Sequence, residues 1–109
     1  MKRVIGADMT DKDSVIYIIG AISLDKDYFG KFKKAEEDLR LKGYDKIINP
    51  CCLPDNLPYR KYAPISIAFV ETCDILFVLN NADNSIGAQA EIAYAKMSGK
   101  TIIYQGETK

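Results

Sequence analysis

Hydrophobic residues in this chain come in short blocks, and the blocks alternate between two kinds of spacing. Residues 15–22 (VIYIIGAI) form a nearly continuous apolar run rich in β-branched side chains, which reads as a strand buried on both faces. After a polar loop at 23–27 the period changes. Tyr28, Phe32, Ala35 and Leu39 recur at helical spacing, with lysines and acidic residues between them. Lys33–Glu37, Glu36–Arg40 and Asp38–Lys42 are i,i+4 pairs that support this helix, and Gly43 ends it as a left-handed cap residue. Residues 45–49 (DKIIN) predict a short second strand closed by Pro50. Residues 51–64 carry Pro54, Pro58 and Pro64 and read as loop or broken turns. Ile65, Ala68, Phe69, Thr72 and Cys73 fit a short helix with Pro64 in its first turn, although 66–70 also suits an extended segment. Residues 74–79 (DILFVL) form a third buried strand and 80–84 a polar loop. Residues 85–98 form a helix capped by Ser85 and ended by Gly99, and 101–105 (TIIYQ) a last strand.

Strands alternating with helices imply crossover connections and a parallel sheet. Four strands in the order 2-1-3-4 make a small flavodoxin-like (Rossmann-like) three-layer α/β sandwich. The length of 109 residues suits one domain, 1–109. Residues 1–14 have no firm element, apart from 3–6 (RVIG), which could add an edge strand.

Composition narrows function more than it defines it. The 15 basic and 15 acidic residues cancel, which argues against binding a nucleic acid polymer or an anionic membrane through bulk charge. The same balance leaves little repulsion to oppose self-association. The apolar runs are too short to span a bilayer, and 1–14 lacks the apolar stretch of a signal peptide. Histidine is absent, which excludes a histidine general base and a Ser-His-Asp triad; without a C-x-x-C spacing a zinc site is excluded as well. The three cysteines, Cys51, Cys52 and Cys73, are an odd number with two adjacent, which suits reduced thiols and a cytoplasmic setting. No metal or other cofactor is expected.

In a sheet of this kind ligands bind outside the carboxyl ends of the strands, at the switch point between the first and third. Three loops meet there, 20–27, 49–58 and 80–87. In the last of them Ser85 and Gly87 open a helix, an arrangement that offers N–H groups and a hydroxyl to a phosphate or a sugar, and is equally an ordinary serine cap. Asn81 and Asp83 could bind ribose hydroxyls or simply be polar loop residues. Glu91 is the only charged residue between Ser85 and Ala95, and its helical neighbours Gly87, Ala88, Tyr94 and Ala95 offer no cation. It is either a nucleophile or general base in a wet cavity, or a solvent-facing helical glutamate. Tyr17 reads by default as a core tyrosine with a satisfied hydroxyl.

The chain resembles the small nucleoside 2-deoxyribosyltransferase-like proteins, including the DUF4406 group. The resemblance lies in Ile16–Ser23 (IYIIGAIS), in Leu39–Tyr44 (LRLKGY) followed by Ile48-Asn49-Pro50, in Cys73–Leu79 (CDILFVL), and most specifically in Asn84–Glu91 (NSIGAQAE) with Ala95. It implies the same flavodoxin-like fold. It also implies cleavage or exchange at the N-glycosidic bond of a nucleoside or its 5′-monophosphate, with retaining-glycosidase chemistry through a covalent glycosyl-Glu intermediate. By resemblance Glu91 is the nucleophile and Tyr17 its neighbour. Ser85 and Gly87 hold the 5′ end, and Gly20, Ile22 and Ser23 belong to the first-strand loop of the binding site. The relatives usually carry an acid-supplying Asp eight residues before the Asp that begins the third strand; here that position is Ser66. Loss of an acid costs typically about 10²–10⁴-fold in rate, so a catalytically weak or inactive nucleotide-binding protein is the alternative, with Asp83 and Asp25 as substitute acids. The resemblance also implies a homo-oligomer, with Tyr59, Tyr62 and Phe69 either in its contacts or in ordinary packing.

Overall fold

In the computed structural model residues 16–19 and 75–78 bury side chains on both faces of the sheet, as their unbroken apolar runs require. The structure describes residues 2–3, 11–22, 25–54 and 57–107. Among these, five strands form one sheet: β1 (Lys2–Arg3), β2 (Ile16–Ile19), β3 (Ile47–Ile48), β4 (Ile75–Val78) and β5 (Thr101–Tyr104). Their order is β1-β5-β4-β2-β3, and every neighbouring pair is parallel. Without β1 this is the predicted order 2-1-3-4 of a flavodoxin-like sandwich. The edge strand overlaps the predicted segment only at Arg3 and pairs with β5; residues 4–10 lie outside the described residues.

Three α-helices, α1 (Tyr28–Leu41), α2 (Tyr59–Thr72) and α3 (Ile86–Met97), complete the layers among the described residues. The period-two alternation of β2 divides the core. Ile16 and Ile18 pack with Phe32, Ala35 and Leu39 of α1, whereas Tyr17 and Ile19 pack with Val70 of α2 and Ala88, Ile92 and Ala95 of α3. Register carries the division across the sheet: Tyr17 sits beside Leu76 and Ile18 beside Phe77. Burying each large apolar side chain of this kind contributes about 1.5–3 kcal/mol. No described helix is long and apolar enough to cross a membrane.

Helix ends follow the sequence signals closely. Gly43 and Gly99 take the left-handed conformation, with φ of 102° and 75°. In α1 the predicted Glu36–Arg40 pair forms, at 2.8 Å, and Lys34–Asp38 forms at 2.9 Å. The 80–84 loop is wound into a short 3-10 turn, and a second such turn covers Pro50–Cys52. The largest departure is α2. It begins at Tyr59, a turn and more ahead of the predicted start, and Pro64 lies inside it. The proline forfeits a bond to the Arg60 carbonyl, but both residues are exposed, so water can serve that carbonyl. The helical reading of 66–70 is the one realised.

Candidate functional site

A cleft of about 680 Å³ opens at the carboxyl ends of β2 and β3, within the usual size of a small-molecule site. Its floor is Tyr17, Ile19 and Gly20 of β2 and the turn that follows. One wall comes from the loop after β3, with Pro50, Cys51, Leu53 and Leu57. The facing wall comes from the start of α3, with Ser85, Gly87, Ala88 and Glu91. Tyr62 and Ser66 of α2 and Tyr28 and Phe32 of α1 close the ends.

Glu91 turns inward from α3. The Tyr17 hydroxyl donates to Glu91 Oε2 at 2.5 Å, and Ser66 lines the cleft beside them. Burial pushes the Glu91 carboxyl above the usual carboxylate range, and the donors Tyr17 and Ser66 work against that rise. Burial first, and then the Glu91 charge, push the Tyr17 phenol well up, so Tyr17 holds its proton. Oε2 is thus tied to the tyrosine. The half-buried carboxylate has the placement that either a nucleophile or a ligand-binding anion requires. The Tyr17 ring is fixed in turn by Phe69, 5.3 Å away between centroids and inclined at 58°.

Ser85 caps α3, its hydroxyl accepting the Ala88 N–H at 3.1 Å, while the hydroxyl proton is left to donate. Gly87 and exposed Ile22 share the same cleft. Six of the residues singled out in the sequence, Tyr17, Gly20, Ile22, Ser85, Gly87 and Glu91, therefore line one cavity. Ser23 lies outside the described residues.

Asn81 and Asp83 stand elsewhere. Asp83 is exposed in the 3-10 turn after β4. Asn81 is a clamp between loops: its Oδ1 accepts the Ala21 N–H at 2.9 Å, and its Nδ2 donates to Asp25 Oδ2 at 2.8 Å and to the Ala21 carbonyl at 3.3 Å. Asp25 also accepts from Lys31 Nζ at 2.6 Å and from the Asp27 N–H at 2.9 Å. These bonds, those from Asn81 and Lys31 foremost, hold the Asp25 carboxyl down at about 2. Asp25 faces the cleft as an anion, which removes it as a proton donor at neutral pH.

Three further residues shape this site in ways their sequence context does not specify. Tyr62 pins the far loop, its hydroxyl donating to the Pro54 carbonyl at 2.5 Å and accepting the Leu57 N–H at 3.2 Å. Asn49 orders the turn after β3 by accepting the Cys51 N–H at 2.9 Å and donating to Glu36 at 3.0 Å. Ser66 lines the cleft with Tyr17 and Glu91. The Tyr62 bonds are local, across 8 and 5 positions, but nothing in a proline-broken segment marks them; Asn before Pro at a strand end is a readable turn signal for Asn49. Cys73 is buried, and that burial pushes its thiol up to about 11. Among the described residues no cluster of three or more His, Cys, Asp or Glu is placed to hold a metal ion.

These features define a small flavodoxin-like α/β protein, with the generic architecture in which nucleotides are bound at strand ends. The chain belongs to the family described as Domain of unknown function (DUF4406), which it matches over residues 14–104. No curated protein and no solved structure matches it.

Proposed function

We propose that the protein cleaves or exchanges the N-glycosidic bond of a nucleoside or nucleoside 5′-monophosphate, with Glu91 as nucleophile. The observation that supports this reading is the Tyr17–Glu91 hydrogen bond, 2.5 Å long, inside a cleft at the carboxyl ends of the strands. A Glu91 oxygen attacks the anomeric carbon while Tyr17 holds the other, and the glycosyl ester then passes to water or to a second base. Ser85 and Gly87, at the start of α3, receive the 5′ end, where N–H groups and the helix dipole favour a phosphate. The resemblance of Asn84–Glu91 to the deoxyribosyltransferase block supports the same assignment. The test is base release from a panel of ribo- and deoxyribonucleosides and their monophosphates. Release by the wild type and loss of at least about 10²-fold in Glu91→Gln is the expected outcome; equal release by both proteins would remove Glu91 from the chemistry.

A second reading, a nucleotide-binding protein without turnover, is favoured by Ser66 at the position where relatives carry an acid and by the ionised state of Asp25. It predicts no release from any substrate and a thermal shift with one of them. A ligand at a hundred times its Kd adds about 2.7 kcal/mol of stability. Both readings take the protein to be a cytoplasmic homo-oligomer, supported by its odd number of cysteines and its balanced charge; light scattering tests the oligomer.

A further inference from the structure

The nature of the leaving base can be argued from the groups around Glu91, given the reading above that Glu91 attacks an anomeric carbon. A neutral base that departs through its ring nitrogen takes the electron pair of the broken bond with it and must be protonated on the way. A base that is already a cation departs neutral and needs no proton. The cleft is built for the second case. The Tyr17 proton is committed to Glu91 Oε2, and the Ser66 hydroxyl, which lines the same cleft, is too weak an acid to protonate a leaving base. Asp25 is surrounded by donors at 2.6, 2.8 and 2.9 Å, so it faces the cleft as a carboxylate. Its partner Lys31 stands on the far side, lining a separate concavity with Lys34 and Gln105, so the negative end of that ion pair is the end the cleft presents. Tyr28 and Tyr62 add aromatic surface, which attracts a flat cation. Lys26, exposed at the rim, suits a 5′-phosphate rather than the base.

We infer that the cleft takes N-glycosides of a heteroaromatic cation, such as a pyridinium or N-alkylated purine nucleoside or its 5′-monophosphate, and releases the base without protonating it. A Glu91 oxygen bonds to the anomeric carbon as the carbon–nitrogen bond breaks. The electron pair returns to the ring nitrogen and cancels its charge. Water then adds to the anomeric carbon, the ester bond to Glu91 breaks, the carboxylate is regenerated and the water proton passes to solvent.

The matched pair guanosine and N7-methylguanosine isolates this property, since the two share sugar and ring and differ in charge; nicotinamide riboside adds a pyridinium, and each is run also as its 5′-monophosphate. With each rate divided by that substrate's spontaneous rate, the cationic member is expected to gain at least about 10²-fold over the neutral one in kcat/KM. Glu91→Gln is expected to abolish the gain. In Ser66→Asp the ratio is expected to narrow as guanosine release rises, and the wild-type ratio decides the matter if that variant does not fold. Guanosine processed as efficiently as its methylated form, with dependence on Glu91, would overturn this inference and leave the glycosidic reading standing. No base released from any substrate would overturn both.

Discussion

Tyr17 in β2 and Glu91 in α3 stand 74 positions apart in the chain, yet the Tyr17 hydroxyl donates to Glu91 Oε2 at 2.5 Å. The bond ties an inner strand of the sheet to the helix that forms one wall of the cleft, so it is at once a packing contact and the centre of the candidate site. Two donors on one half-buried carboxylate oppose the effect of its burial.

Removing one donor tests that balance. Tyr17→Phe keeps the ring against Phe69 and deletes the hydroxyl. It is expected to cost about 1.5–3 kcal/mol at neutral pH, the worth of a hydrogen bond to a charged group. It should also move the Glu91 carboxyl further upward, because the lost bond favoured the ionised form. Urea unfolding at several pH values reads both effects. A cost that does not shrink in acid, where the carboxyl is neutral, would show that the hydroxyl acts on something other than the charge.

Glu91 itself sets a pH dependence of stability with a definite sign. Its folded carboxyl lies above the ordinary value of 4.5, so the native state binds its proton more tightly than the unfolded chain does. The corresponding stability is fully present below 4.5 and is lost as pH rises through the raised value. Glu91→Gln carries no such proton. It should therefore be more stable than the wild type at neutral pH and should lack this part of the decline. Identical pH profiles for the two proteins would contradict the burial argument.

Asp25 behaves in the opposite sense. Its carboxyl is held down at about 2 by Asn81, Lys31 and the Asp27 N–H, against an ordinary 3.8. The stability it supplies is present above 3.8 and disappears as pH falls toward 2. Asp25→Asn should be less stable than the wild type at neutral pH, and the two curves should converge over that acid interval. The comparison is best made at low ionic strength, because Lys31 is exposed and its pairing is screened by salt.

Fold and site were legible to different depths. Continuous apolar runs located β2, β4 and β5, since a strand buried on both faces has no polar positions to blur it, and Gly43 and Gly99 marked helix ends because their positive φ demands glycine. The start of α2 was hidden by Pro58 and Pro64, whose local signal is a break; burial of Val70 and the contact of Phe69 with Tyr17 override it. At the cleft, Glu91 stood out through the absence of helical partners. The roles of Asn81 and Asp25 did not stand out, because each bonds across 56 or more positions. Polar loop residues that bind a ligand and those that bind another loop have the same composition.

That clamp explains why position 20 is glycine, and it yields the most discriminating prediction. A Cβ on Gly20 would stand 2.6 Å from Asn81 Oδ1 and 3.0 Å from both Cβ and Cδ1 of Leu79. Asn81 cannot swing away freely, since the same oxygen accepts the Ala21 N–H at 2.9 Å and its amide holds Asp25. Gly20→Ala is therefore expected to cost about 1–3 kcal/mol through overpacking. It should also loosen the β2 loop, with lower thermal stability and weaker ligand binding at the cleft that Gly20 floors. If Asn81 is the obstacle, the cost of Gly20→Ala falls when Asn81→Ala is already present, and the double mutant shows a coupling of about 0.5–3 kcal/mol. Additivity of the two substitutions within about 0.5 kcal/mol in urea unfolding would assign the obstacle to Leu79 instead.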